Sequence, residues 1–170
     1  MSQTHTLSAP AAVRSTGIRG ALAALTATER DWSQTALRVT LGAVMFPHGA
    51  QKLLGWFGGY GFEGTMGFLT GAVGLPWIVG LLVIVAESFG ALALVAGLFS
   101  RAAAFGVAAV MVGAVATSHL ANGFFMNWTG QQAGEGFEYH LLALVIAAAV
   151  MIRGGGAASA DRAIAARLRD

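Results

Sequence analysis

Leu75–Phe99 reads LPWIVGLLVIVAESFGALALVAGLF, 25 residues with one charge, Glu87, near the middle. A helix of that length rises roughly 37 Å, enough to cross a hydrocarbon core of about 30 Å. A lone carboxyl at that depth is costly in lipid. It therefore needs a charged partner, a neighbouring helix or a water-filled cavity.

The rest of the chain agrees with a bilayer. Of 170 residues, 56% are hydrophobic and 11% charged, against about 25% charged in a typical soluble domain. Mean hydropathy is +0.67. The sequence predicts an all-α membrane protein, a bundle of four transmembrane helices with no second domain. Cysteine is absent, which excludes disulfides, thiol redox chemistry and iron–sulfur ligation by this chain. A net charge of +2 on so few groups suits basic tails on a membrane protein and gives no footprint for nucleic acid. Residues 1–31 show no apolar core of signal-peptide type and read as a cytoplasmic tail.

Outward from Leu75–Phe99, the membrane domain is expected over 32–156. Its helices are placed at about 33–54, 75–99, 102–120 and 138–153, followed by a basic cytoplasmic tail at 157–170. Ile18, Leu22 and Leu25 could form a short interfacial helix in the first tail. Asp31 and Gln34 resemble a capping box. Pro47 is expected to kink the first span. Arg38, Gly42, Met45, Gly49, Lys52 and Trp56 follow a four–three rhythm, and the small residues on that stripe allow a close helix approach. The segments 55–74 and 121–137 are rich in glycine and aromatics and read as two outer loops lying at the interface. Gly154–Gly156 should stop the last span, and Ser159 and Asp161 could cap a tail helix.

Charge orients the bundle. Four spans place Arg14, Arg19, Arg30, Arg101, Arg153, Arg162, Arg167 and Arg169 on one side, while neither aromatic loop contains Lys or Arg. The expected topology is multi-pass, with both termini cytoplasmic.

Glu87 has two candidate partners by depth, Arg38 on the inner side and His48 on the outer. Three readings stay open: an ion pair fixing helix register, a proton-relay or quinone-contacting acid, and a neutral acid bonded to a backbone carbonyl. Lys52 reads as an interface anchor that snorkels outward. The outer ends also gather His119, Glu138 and His140. With His48, Lys52, Trp56, Phe124, Phe125 and Trp128, these form a candidate site for a quinone headgroup or small substrate. A hydrogen-bonded lid and an aromatic belt are the plainer alternatives. No spacing here is a metal or haem signature, and no catalytic residue is assigned.

The pattern R-x3-G-x3-F-P-H-G-x2-K at Arg38–Lys52 resembles the first helix of the DoxX family. So do Glu87 followed by SFGALALVAGLFSRAAA, the GFF at Gly123–Phe125, Glu138 before an apolar helix, and G-G-G-x2-S-x-D at Gly154–Asp161. The resemblance covers about residues 34–162. It implies a small four-helix protein of the bacterial cytoplasmic (inner) membrane. The family is named for a subunit of an archaeal thiosulfate:quinone oxidoreductase, and mycobacterial relatives are linked to an oxidoreductase complex in oxidative-stress resistance. The resemblance therefore suggests a membrane subunit of, or anchor for, a redox complex, at most an accessory subunit, with quinone as the cofactor candidate. Its expected partners are the bilayer and a membrane or peripheral oxidoreductase. The alternatives are an oligomeric small-solute carrier or export factor, with glycine stripes making the contacts of a homo-oligomer, and a purely structural membrane protein.

Overall fold

The computed structural model describes residues 17–168, and every regular element among them is helical. The readings of residues 1–16, Arg14 included, and of Arg169 lie outside these residues. In chain order the helices are α1 (Ile18–Thr26), α2 (Trp32–Leu54), α3 (Gly61–Gly67), α4 (Trp77–Ala96), α5 (Ser100–Ala114), α6 (Glu138–Arg153) and α7 (Ala160–Arg167). A wide turn with i→i+5 geometry at Val115–His119 carries α5 onward, so one helical run reaches Asn122. α2 and α5 each pack against both α4 and α6, closing the four long helices into a ring.

The four long helices fall where the hydrophobic runs place them. Two, Trp77–Ala96 and Ser100–Asn122, are long and apolar enough to cross a membrane. α2 has 23 residues but carries Arg38, His48 and Lys52, and α6 has 16. α4 is shorter than the 75–99 run. Pro76 precedes its first turn, and Gly97 ends it in the left-handed region at φ 70°. Pro47 lies inside α2, which continues to Leu54.

Segment 55–74 departs from a plain loop. It folds into α3 and a second i→i+5 turn at Phe68–Ala72, with α3 lying against α2. Asp31 caps α2 by accepting from the amides of Ser33 (2.8 Å) and Gln34 (3.4 Å). The Gln34 side chain does not complete a capping box. It crosses the bundle instead and donates to the Gly154 carbonyl at 3.1 Å.

The stripe Arg38–Gly42–Met45–Gly49 is buried against α4. A Cβ at Gly42 would lie 2.8 Å from the Ala91 carbonyl oxygen, and one at Gly49 would lie 2.6 Å from Ser88 Cα. The two backbones are thus in contact, running antiparallel, and Ser88 Oγ donates to the Gly49 carbonyl at 3.1 Å. Beneath this contact the interior is apolar and enclosed. Leu41, Ala91, Leu94, Val107, Ala147 and Val150 are all nearly or fully enclosed.

The end of the bundle that carries both described termini is tied by side chains onto backbone. Arg38 donates from Nε to Gly155 O (2.7 Å), from Nη1 to Leu94 O and to Val95 O (2.8 Å), and from Nη2 to Ala158 O (2.6 Å). These are carbonyls of the last turn of α4, where Leu94 O also accepts from the Gly97 amide (3.2 Å), and of the segment after α6. Asp161, fully buried, accepts from the amides of Phe99 (2.6 Å) and Ser100 (2.8 Å) and so caps α5 from another helix. Ser159 caps α7, as expected, accepting from the Arg162 amide at 3.3 Å.

The glycine contact makes a paired prediction. Gly49→Ala should destabilise the protein by about 1–3 kcal/mol through overpacking. Gly113, whose Cβ would meet nothing within 4 Å, should accept alanine with neutral or slightly stabilising effect, because helix propensity favours it. Thermal unfolding of both variants in one detergent checks the sign difference.

Candidate functional site

Glu87 is part of the Gly49 contact, its backbone carbonyl facing the missing Cβ, and its side chain is almost enclosed. Its partner is neither Arg38 nor His48 but Lys52. The Lys52 ammonium and Glu87 Oε2 are in direct contact, with 28% and 5% of the side chains exposed. Stripe geometry accounts for this. Lys52 lies three residues after Gly49, so it is on the α4-facing side one turn toward the loops, and its flexible stem reaches back. Arg38 lies eleven residues before Gly49 and meets the last-turn carbonyls of α4 instead. His48 is level with Glu87 but one residue off the stripe, about 100° around the helix. Its ring lies 6.1 Å from that of Tyr139. The outward snorkelling expected of Lys52 therefore gives way to an inward ion pair.

The pair forms part of the wall of a cavity of about 900 Å³. His48 and Lys52 come from α2, Glu87 from α4, His119 from the wide turn after α5, and Tyr139 and His140 from α6. His119 and His140 stack at 4.2 Å between centroids, tilted by 46°. Tyr139 lies 5.6 Å from His140, and its hydroxyl donates to Met45 Sδ at 3.4 Å. His140 is buried, and its Nδ1 has no hydrogen-bond partner. His119 Nδ1 is 2.8 Å from the Glu135 carbonyl oxygen, at the loop end of the cavity. Among the described residues no three His, Asp or Glu side chains form a metal-binding group.

The cavity lining falls into two sets of residues, a polar limb and an apolar one. The polar limb runs from Glu87 past Tyr139, His140 and His119 toward Glu135. The other lies between α4 and α5 and is apolar throughout, with Phe89, Gly90, Ala93, Ala102, Phe105 and Ala109 among its lining. The helices touch at Ala86 and Gly106. Farther toward the loops Gly113 meets nothing, while Gly80 meets Met66 and Leu69 of the 61–74 segment. Phe89 and Phe105, on the terminal side of the Ala86–Gly106 contact, are more than half exposed, so the α4–α5 part of the lining reaches the lateral surface of the bundle.

Of the residues expected at a headgroup site, His48, Lys52, His119 and His140 come together, and Glu87 joins them. The aromatics do not. Trp56 is exposed and stacks edge-on against Phe57, and Phe125 stacks edge-on against Phe124. Phe124, Trp128 and Glu138 border a separate hollow of about 540 Å³. There Glu138 Oε1 accepts from the Met126 amide (3.1 Å) and Trp128 Nε1 (3.2 Å), which pins the second loop. Tyr139 is the residue that sequence reasoning missed. It precedes the buried stripe His140–Ala143–Ala147–Val150 and shares a face with Ala143, a pattern readable at helical spacing.

A family model described as DoxX matches residues 33–120, more than half of the chain. The chain belongs to the DoxX family. No curated protein and no solved structure matches it. The match makes this a membrane protein of a family often linked to redox or stress functions. It covers α2 through the α5 run, so Arg38, His48, Lys52, Glu87 and His119 fall within the matched region. Tyr139, His140 and the Gly154–Asp161 motif lie beyond it.

Because Glu87 is far more enclosed than Lys52, the two halves of the pair should not be equivalent. Lys52→Met strands a buried carboxylate and should cost about 3–5 kcal/mol. Glu87→Gln leaves an ammonium that can swing to water and should cost less. A Lys52→Met/Glu87→Gln double variant, which leaves no unpaired charge, should recover much of the loss. Unfolding midpoints of the four proteins in one detergent measure the coupling.

Proposed function

We propose that this DoxX-family protein is a multi-pass subunit, or membrane anchor, of a quinone-linked redox complex in the bacterial cytoplasmic membrane. Its cavity between α2, α4, α5 and α6 receives the quinone. The observation that carries this reading is the union of a charged and aromatic polar limb with a wholly apolar limb opening sideways. A ring that carries two carbonyls and a prenyl chain has this division of chemistry. The Lys52 ammonium and the buried His140 imidazole are the groups suited to its oxygens, and Glu87 holds Lys52 in place. The apolar limb beside Phe89, Ala93 and Phe105 would take the chain. A bound quinone supplies two-electron, two-proton carrier chemistry. With no cysteine in the chain and no metal-binding group among the described residues, electron transfer in this reading falls to a partner protein.

In this reading all four long helices span the bilayer, with both termini cytoplasmic. The support is the arginine-rich terminal end set against loops free of Lys and Arg. Hereafter the loop end is the outer end. A through-path for a solute is less favoured, because the inner half is closed by Leu41, Leu94 and Val150 beneath Met45.

Titration of the purified protein with a short-chain naphthoquinone, followed by tryptophan fluorescence, tests the site. Saturable quenching is expected. Glu87→Gln and Lys52→Met should each weaken it by about tenfold or more, equivalent to roughly 1.4 kcal/mol. Trp56→Phe should leave the affinity unchanged. Absence of saturable binding, or equal affinity in all variants, contradicts the quinone assignment.

A further inference from the structure

We infer that the polar limb is a one-sided aqueous half-channel, through which Glu87 exchanges water and protons with the outer face and not with the cytoplasm. The inference needs the cavity described above and is independent of what occupies its apolar limb.

Three observations carry it. The first is the continuity of titratable groups on the outer side of Glu87. From α2 it faces Lys52 and His48, from α6 Tyr139 and His140, and from the wide turn after α5 His119, whose Nδ1 lies 2.8 Å from the Glu135 carbonyl oxygen. Glu135 is exposed, so the series ends at the surface. The second is the unsatisfied Nδ1 of His140. His140, only 6% exposed and lining the cavity beside His119 and Tyr139, is a site for water, which relieves the cost of an unpaired polar atom. Tyr139 and His140 are 5.6 Å apart by ring centroid and His48 and Tyr139 6.1 Å, spacings that bridging water spans.

The third observation is the seal on the other side. Below Glu87, Met45, Ala91, Leu94 and Val150 are at most 1% exposed. The cation nearest the inner end, Arg38, is fully engaged with four backbone carbonyls and offers no route for a proton. The apolar limb does extend inward, to Leu98 and Ala102, but it presents only hydrocarbon, and its rim at Phe89 and Phe105 lies on the lateral surface of the bundle. It therefore conducts no water. The acid near mid-membrane is wet from one side only.

The absence of native cysteine allows a direct test, with single cysteines introduced into the full chain in oriented vesicles. Ala86→Cys and Ala114→Cys place thiols in the cavity, and Val150→Cys places one in the seal. Trp128→Cys and Arg167→Cys mark the loop side and the terminal side. A small membrane-impermeant thiosulfonate is then added from each side separately. The expected result is labelling of Ala86→Cys and Ala114→Cys from the Trp128 side, loss of that labelling from the Arg167 side, and no labelling of Val150→Cys from either. Labelling of the two cavity positions from the Arg167 side, or from neither side while Trp128→Cys reacts, overturns the half-channel. If Arg167→Cys reacts from outside the cell, the orientation is reversed, but the half-channel still stands or falls on whether the cavity shares a side with Trp128.

Discussion

The contact on which the site depends is the meeting of two backbones at Gly49. No side chain separates α2 from α4 there, and Ser88 donates across the gap to the Gly49 carbonyl. That approach sets the register of the two helices. With the register set, Lys52 lies one turn outward of Glu87 on the facing side, and the ion pair follows. It also buries Glu87, and the Lys52 ammonium is the counter-charge in direct contact with the enclosed carboxyl group. Geometry and electrostatics at the loop end are thus two consequences of one missing Cβ.

The opposite end of the bundle solves a different problem with the same economy. Helix ends leave carbonyls and amides without partners. Arg38 gathers carbonyls from α4 and from the segment after α6, and Asp161 returns a carboxylate to the amides that open α5. The Gly154–Asp161 motif thereby holds the four helices together where they converge. A tightly packed apolar centre below Glu87, with the polar part of the cavity lining gathered at the loop end, is the result. That asymmetry makes a laterally open, polar-headed cavity usable by a lipid-borne molecule.

Much of this was legible in the residues. The four–three stripe from Arg38 to Lys52 named the face of α2 that meets α4, and the hydrophobic runs placed the four long helices. Trp56 fell off the stripe because α2 ends before Gly55, at φ 73°. Rise per residue along single helices could rank Arg38 and His48 by depth from Glu87. It could not show that the end of α4 would claim the Arg38 guanidinium, or that Lys52 would bend inward. Those outcomes depend on which unpaired groups lie nearest in three dimensions. The same limit explains the outer loops. Phe124, Phe125 and Trp128 carry the composition of a binding wall, yet the 121–137 segment folds back on Glu138 and keeps them out of the cavity.

The central claim is that the buried acid is held by Lys52, and it is open to direct measurement because Lys52 is the only lysine in the chain. With ¹⁵N-lysine and ¹³C-glutamate labelling, solid-state NMR of the protein in lipid bilayers can recouple the single Lys Nζ to nearby Glu Cδ. The account predicts one strong coupling, to a carboxylate resonance that disappears in Glu87→Gln. A Lys Nζ signal with no carboxyl coupling, or one whose coupling survives Glu87→Gln, would contradict it.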